Sequence, residues 1–382
     1  MINSTCERLK YVDVPRIRRM VDEGPYDAVV ALSPDNIPYL AGFYNMDLRL
    51  LPERLHIVVW PRGSEPVFIV MARRARMMQP TQTFIGDVRG YEGEGLDSMR
   101  VLAEVLREKR VDEGLIGFEG RSFPGGHLLE LIRLLPKLRF ENAVPFLDHI
   151  RAIKTPAEVE LQTRINRLTT ESIDAAFRSA EAGQTEIEIA SVMESHFLRG
   201  GGEQITAPLF SAGERTGLWH AMPSGQRVEN GMVINVDFGG TLEGYYSDIA
   251  RTAVMGKATD YQKDVHAKVT EIKHRIVSFI KPGVTAGEVA TYGIKCYEDL
   301  KLEFKWFILG HGIGIGLHDE PQLYPSTAQV IEEGMVMMIE CGYSDFPRES
   351  FHVEDLIHIK ANGAEYLTDA SAHDKLWELG ID

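Results

Sequence analysis

The stretch GMVINVDFGGTLEGYYSDIARTAVMG, Gly231–Gly256, holds two runs fit for buried strands, and an acid interrupts each of them. Asp237 ends the first run, MVINVD, and Asp248 stands in the return run. A second stretch repeats the pattern: in GMVMMIECGYSDFPRESFHVEDLIHIK, Gly334–Lys360, Glu340 ends MVMMIE and Glu354 sits inside FHVEDLIHI. Burying an ionised carboxylate costs several kcal/mol even after relaxation. Four such acids therefore either line solvent-facing strand edges or face a cation.

Between the two stretches runs GHGIGIGLHDEP, Gly310–Pro321, with His311 and His318 among four glycines. The spacing G-x-G-x-G-x-G is not the dinucleotide fingerprint, and no P-loop occurs in the chain. The glycines are expected to let the backbone come close to whatever His311 holds. Four carboxylates and one neutral imidazole carry a charge that two divalent ions cancel. Oxygen-rich ligation with one nitrogen suits manganese first, with cobalt, iron and zinc also fitting.

Composition narrows the classes. The chain has 382 residues, 44% hydrophobic and 25% charged, as in ordinary globular proteins. Its 41 basic and 56 acidic residues give a net charge of −15, which argues against nucleic-acid binding. No apolar run is long enough to span a membrane, and the first residues lack the apolar core of a secretory signal. Cys6, Cys296 and Cys341 are too scattered for a disulfide framework, which fits a cytoplasmic protein.

The first part alternates strands and helices. Strands are expected at Asp27–Ser33, Leu55–Pro61, Glu65–Met71 and Gly114–Glu119. Helices are expected at Ser98–Arg110, with Ser98 as N-cap, and at Gly125–Leu138, ended by its proline. This is an α/β domain. The composition changes near residue 150. A strand-like piece begins at His149, after which Thr155, Pro156 and Glu158 make the start of a long helix. A second helix follows from Thr185, and two more are expected at Asp260–Ile280 and Thr285–Leu302, among strands. Two domains are expected, 1–152 and 153–382, with no flexible linker and no obvious short repeat.

Asp237 (NVDFGG), Asp248 (YYSDIART), His311 (GHGIGIG), Glu340 (MIECG) and Glu354 (HVEDLI) resemble, in chain order, the metal ligands of the pita-bread metallopeptidase family. That family includes methionine aminopeptidase, aminopeptidase P, prolidase and the non-peptidase creatinase. IKTPAEVE, from Ile153, resembles the junction of its two-domain members, and SPDNIPYLAGF, from Ser33, resembles their first-domain signature. The resemblance implies a creatinase-like α/β N-terminal domain followed by an α+β pita-bread domain. It implies a dinuclear hydrolase of C–N bonds, most like an Xaa-Pro aminopeptidase or dipeptidase acting on small peptides, and a homodimer. Glu340 resembles the ligand that also shuttles protons. His318 and His220 (GLWHAMPSG) resemble the two histidines that touch substrate. In FYNMDLRLLPER, Phe43–Arg54, Arg49 is the candidate partner for a substrate carboxylate.

One position departs. Aminopeptidase P and prolidase carry arginine two residues before the last ligand, where this chain has His352. An imidazole does not replace a bidentate guanidinium. Either the surroundings are rebuilt, with His352 facing substrate, or the substrate differs. The alternatives are a small amide or amidine, such as an ectoine derivative or a creatinase-like substrate; elimination, as in dimethylsulfoniopropionate lyase; and a binding module. The intact ligand set speaks against a binding module and against metal-free creatinase chemistry.

Overall fold

The computed structural model describes residues 6–93, 96–218 and 220–381. The chain divides into two compact units, Met1–Arg151 and Ala152–Asp382.

In the first unit, β1 (Ala28–Ala31), β2 (Ile57–Pro61), β3 (Val67–Met71), β4 (Asp87–Tyr91), β5 (Leu115–Phe118) and β6 (Arg139–Asn142) form one sheet in the order β4-β3-β2-β1-β5-β6. The β1–β2 and β2–β3 pairs are antiparallel and the rest parallel. Its central strands are apolar at every position because both faces are covered. Val29, Val58 and Phe68 face one core, while Val30, Val59 and Ile69 face the other. The helices are α1 (Val14–Glu23), α2 (Asn36–Ala41), α3 (Asp47–Leu50), α4 (Ala72–Met77), α5 (Asp97–Glu108), α6 (Gly125–Leu134) and α7 (Val144–Ala152). α1, α2 and α7 supply residues to the first core, α5 and α6 to the second. The SPDN turn is fixed from β5: buried Glu119 accepts hydrogen bonds from the backbone N–H groups of Leu32 and Ser33 and from the Asn36 amide.

Two local expectations fail here. Ser98 is not an N-cap; Leu96 precedes the helix and Ser98 is buried within it. The strand-like piece from His149 is the end of α7. Leu147 and Ile150 are buried at helical spacing and Arg151 pairs with Asp148 at 2.7 Å, so the helix continues to Ala152. Only Ile153 makes a bridge, to Met335.

The second unit begins with α8 (Pro156–Ser179), α9 (Glu186–Arg199), β7 (Gln204–Ala212), β8 (Val233–Leu242), β9 (Tyr245–Tyr246) and β10 (Ile249–Met255). It continues with α10 (Asp260–Phe279), α11 (Ala286–Asp299), β11 (His311–Gly312), β12 (Asp319–Gln322), β13 (Val336–Asp345), β14 (Glu349–Lys360), β15 (Gly363–Tyr366) and β16 (Trp377–Leu379). One sheet runs β16-β10-β8-β7, with β9 on β8; the other runs β12-β11-β13-β14-β15. All four helices start with a capping box, on Thr155, Thr185, Thr259 and Thr285.

A long repeat emerges that the sequence did not disclose. Gly183 and Gly283 both have positive φ, and their N–H groups bond Val228 and Ile331. Two residues after each comes the threonine cap, and then the helix, α9 or α11. Each helix pair packs on its own sheet, α8–α9 beside β7 and β8, α10–α11 beside β13 and β14. The two halves share geometry but few side chains, so only the caps betray the repeat.

The two sheets meet along β10 and β14. The Thr252 hydroxyl donates to the His352 carbonyl and accepts from the His352 N–H, each at 2.8 Å. Arg251 donates to the Glu354 carbonyl and pairs with Asp355 at 2.7 Å; Lys273 from α10 pairs with the other oxygen of Asp355. All three charged side chains are buried. Removing one partner of a buried ion pair costs about 3–5 kcal/mol. Asp355→Asn is therefore expected to lower unfolding free energy by about that amount, read in urea titrations; a change below about 1 kcal/mol would show that the network is not holding β14.

Candidate metal centre

Cross-strand register brings the acids together. Glu340 on β13 stands directly opposite Glu354 on β14. Asp237 on β8 is paired with Ala250, and Asp248 immediately precedes β10 rather than lying within it. His311 on β11 is opposite Met338 of β13. From these places His311 Nε2 lies 3.8 Å from Asp248, 3.9 Å from Glu340 and 3.7 Å from Glu354. Asp237, Asp248 and Glu354 offer oxygens within 4.8 Å of one another, as do the atoms of His311, Glu340 and Glu354. All five expected ligands converge.

The histidine is oriented for ligation. Its Nδ1 is 2.9 Å from the Gly312 carbonyl, so that nitrogen carries the proton and Nε2 presents its lone pair to the acids. Burial lowers the His311 pKa, which keeps it neutral. Burial raises Asp248 and Glu354 well above the ordinary carboxylate range, and the neighbouring negative charges add to it. Asp237 is raised for the same first reason. Burial pushes Glu340 up too, but the His352 imidazole and the Trp306 N–H on its cleft side outweigh it and hold Glu340 below the usual value. This donor set, hard oxygens plus one imidazole under mutual repulsion, fits divalent cations.

A buried polar ladder on α8, which sequence reading missed, seats Asp248. Gln162, Asn166 and Thr169 are fully buried at spacings of four and three. They bond the Tyr246 carbonyl at 3.1 Å, the Asp248 N–H at 3.2 Å and the Ser247 hydroxyl at 2.7 Å. The available signal was polar residues on an otherwise apolar helical stripe.

The glycines serve a different purpose from the one expected. A Cβ at Gly310 would lie 2.3 Å from the Met338 carbonyl, and at Gly312 2.5 Å from the Glu320 carbonyl. At Gly314 it would meet the buried Lys154 and Asp319 side chains at 3.1 and 3.3 Å. The run is glycine-rich because backbone packs on backbone beside β13 and β12. In the hairpin beyond Asp237, likewise, Gly239 and Gly240 lie within β8, and the turn itself is Glu243–Gly244 with both φ positive.

Beside the acids opens a small cleft of about 90 Å³. Asp237 and Glu340 line it, with His220, Trp306, Phe307 and His352. His220 is exposed, on a loop with φ +52°. His318, itself exposed at the end of a largely buried loop before β12, places its ring 4.2 Å from that of His311. His352 is buried on β14 with Nε2 3.4 Å from Glu340. Arg49 belongs to the first unit, on α3, and pairs with Asp35 at 2.7 Å. The three cysteines are free and buried. Among the described residues no helix is long and apolar enough to cross a membrane.

Acids and one histidine gathered where two sheets meet define a candidate metal centre. Metallopeptidase family M24 matches residues 160–361, and the creatinase/prolidase N-terminal domain matches residues 14–153. The chain belongs to family M24 and is a metal-dependent peptide-bond hydrolase of pita-bread fold. It is 29% identical to an Xaa-Pro dipeptidase of Pyrococcus horikoshii over 69% of this chain and 78% of that protein. It is 25% identical to the Xaa-Pro dipeptidase of Lactobacillus delbrueckii over 96% and 99% of the two chains. The fold matches an X-Pro aminopeptidase from Thermotoga maritima with TM-score 0.82 at 22% identity, covering 96% and 100% of the two chains. These relatives favour peptide hydrolysis over the small-amide and lyase alternatives.

Raised carboxylate pKa values mean that the folded, metal-free chain binds protons more tightly than the unfolded one. Stability from Asp248 and Glu354 is thus present at low pH and lost as pH rises through their elevated values. A divalent ion competes with those protons. Saturating manganese is expected to raise Tm at pH 7 and to raise it progressively less as pH falls toward 5, with Glu354→Gln abolishing most of the shift. A shift independent of pH in thermal scans would count against the acids as ligands.

Proposed function

We propose that the chain is an Xaa-Pro peptidase working with two divalent ions, manganese first, held by Asp237, Asp248, His311, Glu340 and Glu354. The observation that carries this is the approach of three carboxylates to within 3.9 Å of the deprotonated face of His311. The names of the relatives, Xaa-Pro dipeptidases, supply the substrate class. In this reading the amino-terminal domain is 1–152, the catalytic domain 153–382, and the protein acts as a cytoplasmic homodimer on small peptides.

Bound ions would supply Lewis acidity and a water of lowered pKa. The rest falls to the chain. Glu340, the one acid of the four held below its ordinary pKa, takes the proton of the attacking water and returns it to the leaving nitrogen. His318, its pKa lowered by partial desolvation, donates an N–H to the carbonyl oxygen as charge develops there. His220 and His352 orient the substrate from the cleft walls. Arg49 is the candidate partner for a substrate carboxylate, exchanging its ion pair with Asp35.

The test is hydrolysis of Ala-Pro against Ala-Ala by the full chain, before and after chelation. Ala-Pro is expected to be cleaved preferentially, chelation to stop it and manganese to restore it. His318→Ala is expected to lower kcat by about 10²–10³ at unchanged Tm. A chain that binds the ions but cleaves no proline dipeptide would reject the Xaa-Pro assignment and return small amides to consideration.

A further inference from the structure

The two oxygens of Glu340 have different surroundings. Oε1 faces His311 at 3.9 Å, on the ligand side. Oε2 is turned toward the cleft, where the Trp306 indole N–H donates to it at 3.3 Å and His352 Nε2 stands 3.4 Å away. The two aromatic rings lie against each other, centroids 4.7 Å apart at 48°.

The sheet explains why these groups coincide. Residues two apart on a strand share a face. Glu340 and Gly342 therefore share a face of β13, and their direct partners on β14, Glu354 and His352, share the corresponding face. Gly342 leaves the space above His352 open. A Cβ there would lie 2.5 Å from Trp306 Cδ2 and Cε3, so the indole sits on the bare backbone of the residue paired with His352. The Tyr297 hydroxyl, buried, fixes that backbone from elsewhere: it accepts from the Gly342 N–H at 3.0 Å and donates to the Gly342 carbonyl at 2.9 Å. His352 is fixed through its own backbone by Thr252.

We propose that Trp306 and His352 form a clamp on Oε2 of Glu340, seated on Gly342, that sets the direction of this carboxylate toward the metal centre. Both are positioning residues. The proposal rests on the metal-centre reading above, and it accounts for a histidine where an arginine was expected: the indole supplies a neutral donor and the imidazole a second contact. A carboxylate with one oxygen pinned in this way has one oxygen directed at the ligand cluster. Groups that orient ligands typically change metal affinity or activity by about 10–100-fold when removed.

Trp306→Phe and His352→Phe keep a ring in place and remove the contact to Oε2. Gly342→Val displaces the indole while leaving Glu340, Trp306 and His352 unchanged. Manganese titration calorimetry on the full metal-free chain is expected to show each variant binding about tenfold or more weakly. Metal-free melting temperatures of the two phenylalanine variants should match wild type. On an Xaa-Pro dipeptide kcat should fall in both phenylalanine variants, with KM unchanged in Trp306→Phe. Unchanged manganese affinity in both Trp306→Phe and His352→Phe overturns the clamp. A rise in KM at constant kcat and constant affinity also overturns it, making Trp306 a cleft wall. If the wild type binds manganese but cleaves no proline peptide, the Xaa-Pro assignment falls, and the clamp is still decided by the affinities.

Discussion

Four carboxylates forced into one small volume set the terms for the rest of the second unit. At about 4 Å and an effective dielectric near 20, each like-charge pair opposes the fold by about 4 kcal/mol, while a whole domain has a margin of only about 5–15 kcal/mol. Such a cluster persists only where protons or cations offset it and where the backbone cannot relax away. The chain meets the second condition with strands. Asp237, Glu340 and Glu354 lie within ladders, and Asp248 abuts one. It meets part of the first with Arg251 and Lys273, two buried cations around the single Asp355, one residue beyond Glu354. The charge of Arg251 opposes the upward shift of Glu354.

The same crowding differentiates the acids. Burial first and other anions second raise Asp248 and Glu354; Glu340, equally buried, meets the His352 imidazole and an indole N–H and is lowered. Carboxylates whose surroundings separate their pKa values are suited to separate tasks. Here the separation comes from the cleft side of β13 and β14, through Trp306 and His352, so the side that admits substrate also sets the character of the ligand nearest to it.

The acids were legible because burial and ionisation conflict: a carboxylate ending MVINVD or MVMMIE has no local reason to be there. The start of the long helix after residue 155 was legible because Thr155 and Glu158 encode a local hydrogen-bond pair. What stayed hidden depended on partners distant in sequence. HIRAIK has apolar residues that suit either a strand or a helix end, and the Asp148–Arg151 pair with burial of Ile150 decides for the helix. The glycines of GHGIGIG looked like room for a ligand, yet their hydrogens face the carbonyls of Met338 and Glu320 and the Lys154 side chain. Trp306 carried no signal, since its meaning comes from Gly342, thirty-six residues on. The repeat was hidden because fold halves can keep caps and register while most packing side chains change.

The placement of these groups also separates what is fixed from what can vary. His311, Asp237, Glu340 and Glu354 sit on strands, and Asp248 is tied by the α8 ladder. His220 and Trp306 sit on connecting segments that line the cleft, and His318 sits on another beside His311. Ligand geometry tolerates errors of only about 0.5 Å, which strands supply and loops do not. Substrate contacts gain from being on loops, where insertions and substitutions leave the ladder intact. A change at His220 therefore alters what the cleft accepts without dismantling the acids, whereas Trp306 touches Glu340 from its loop and His352 belongs to both sets, on a strand yet facing the cleft. It is the position at which a change of substrate environment and a change of metal environment are the same event.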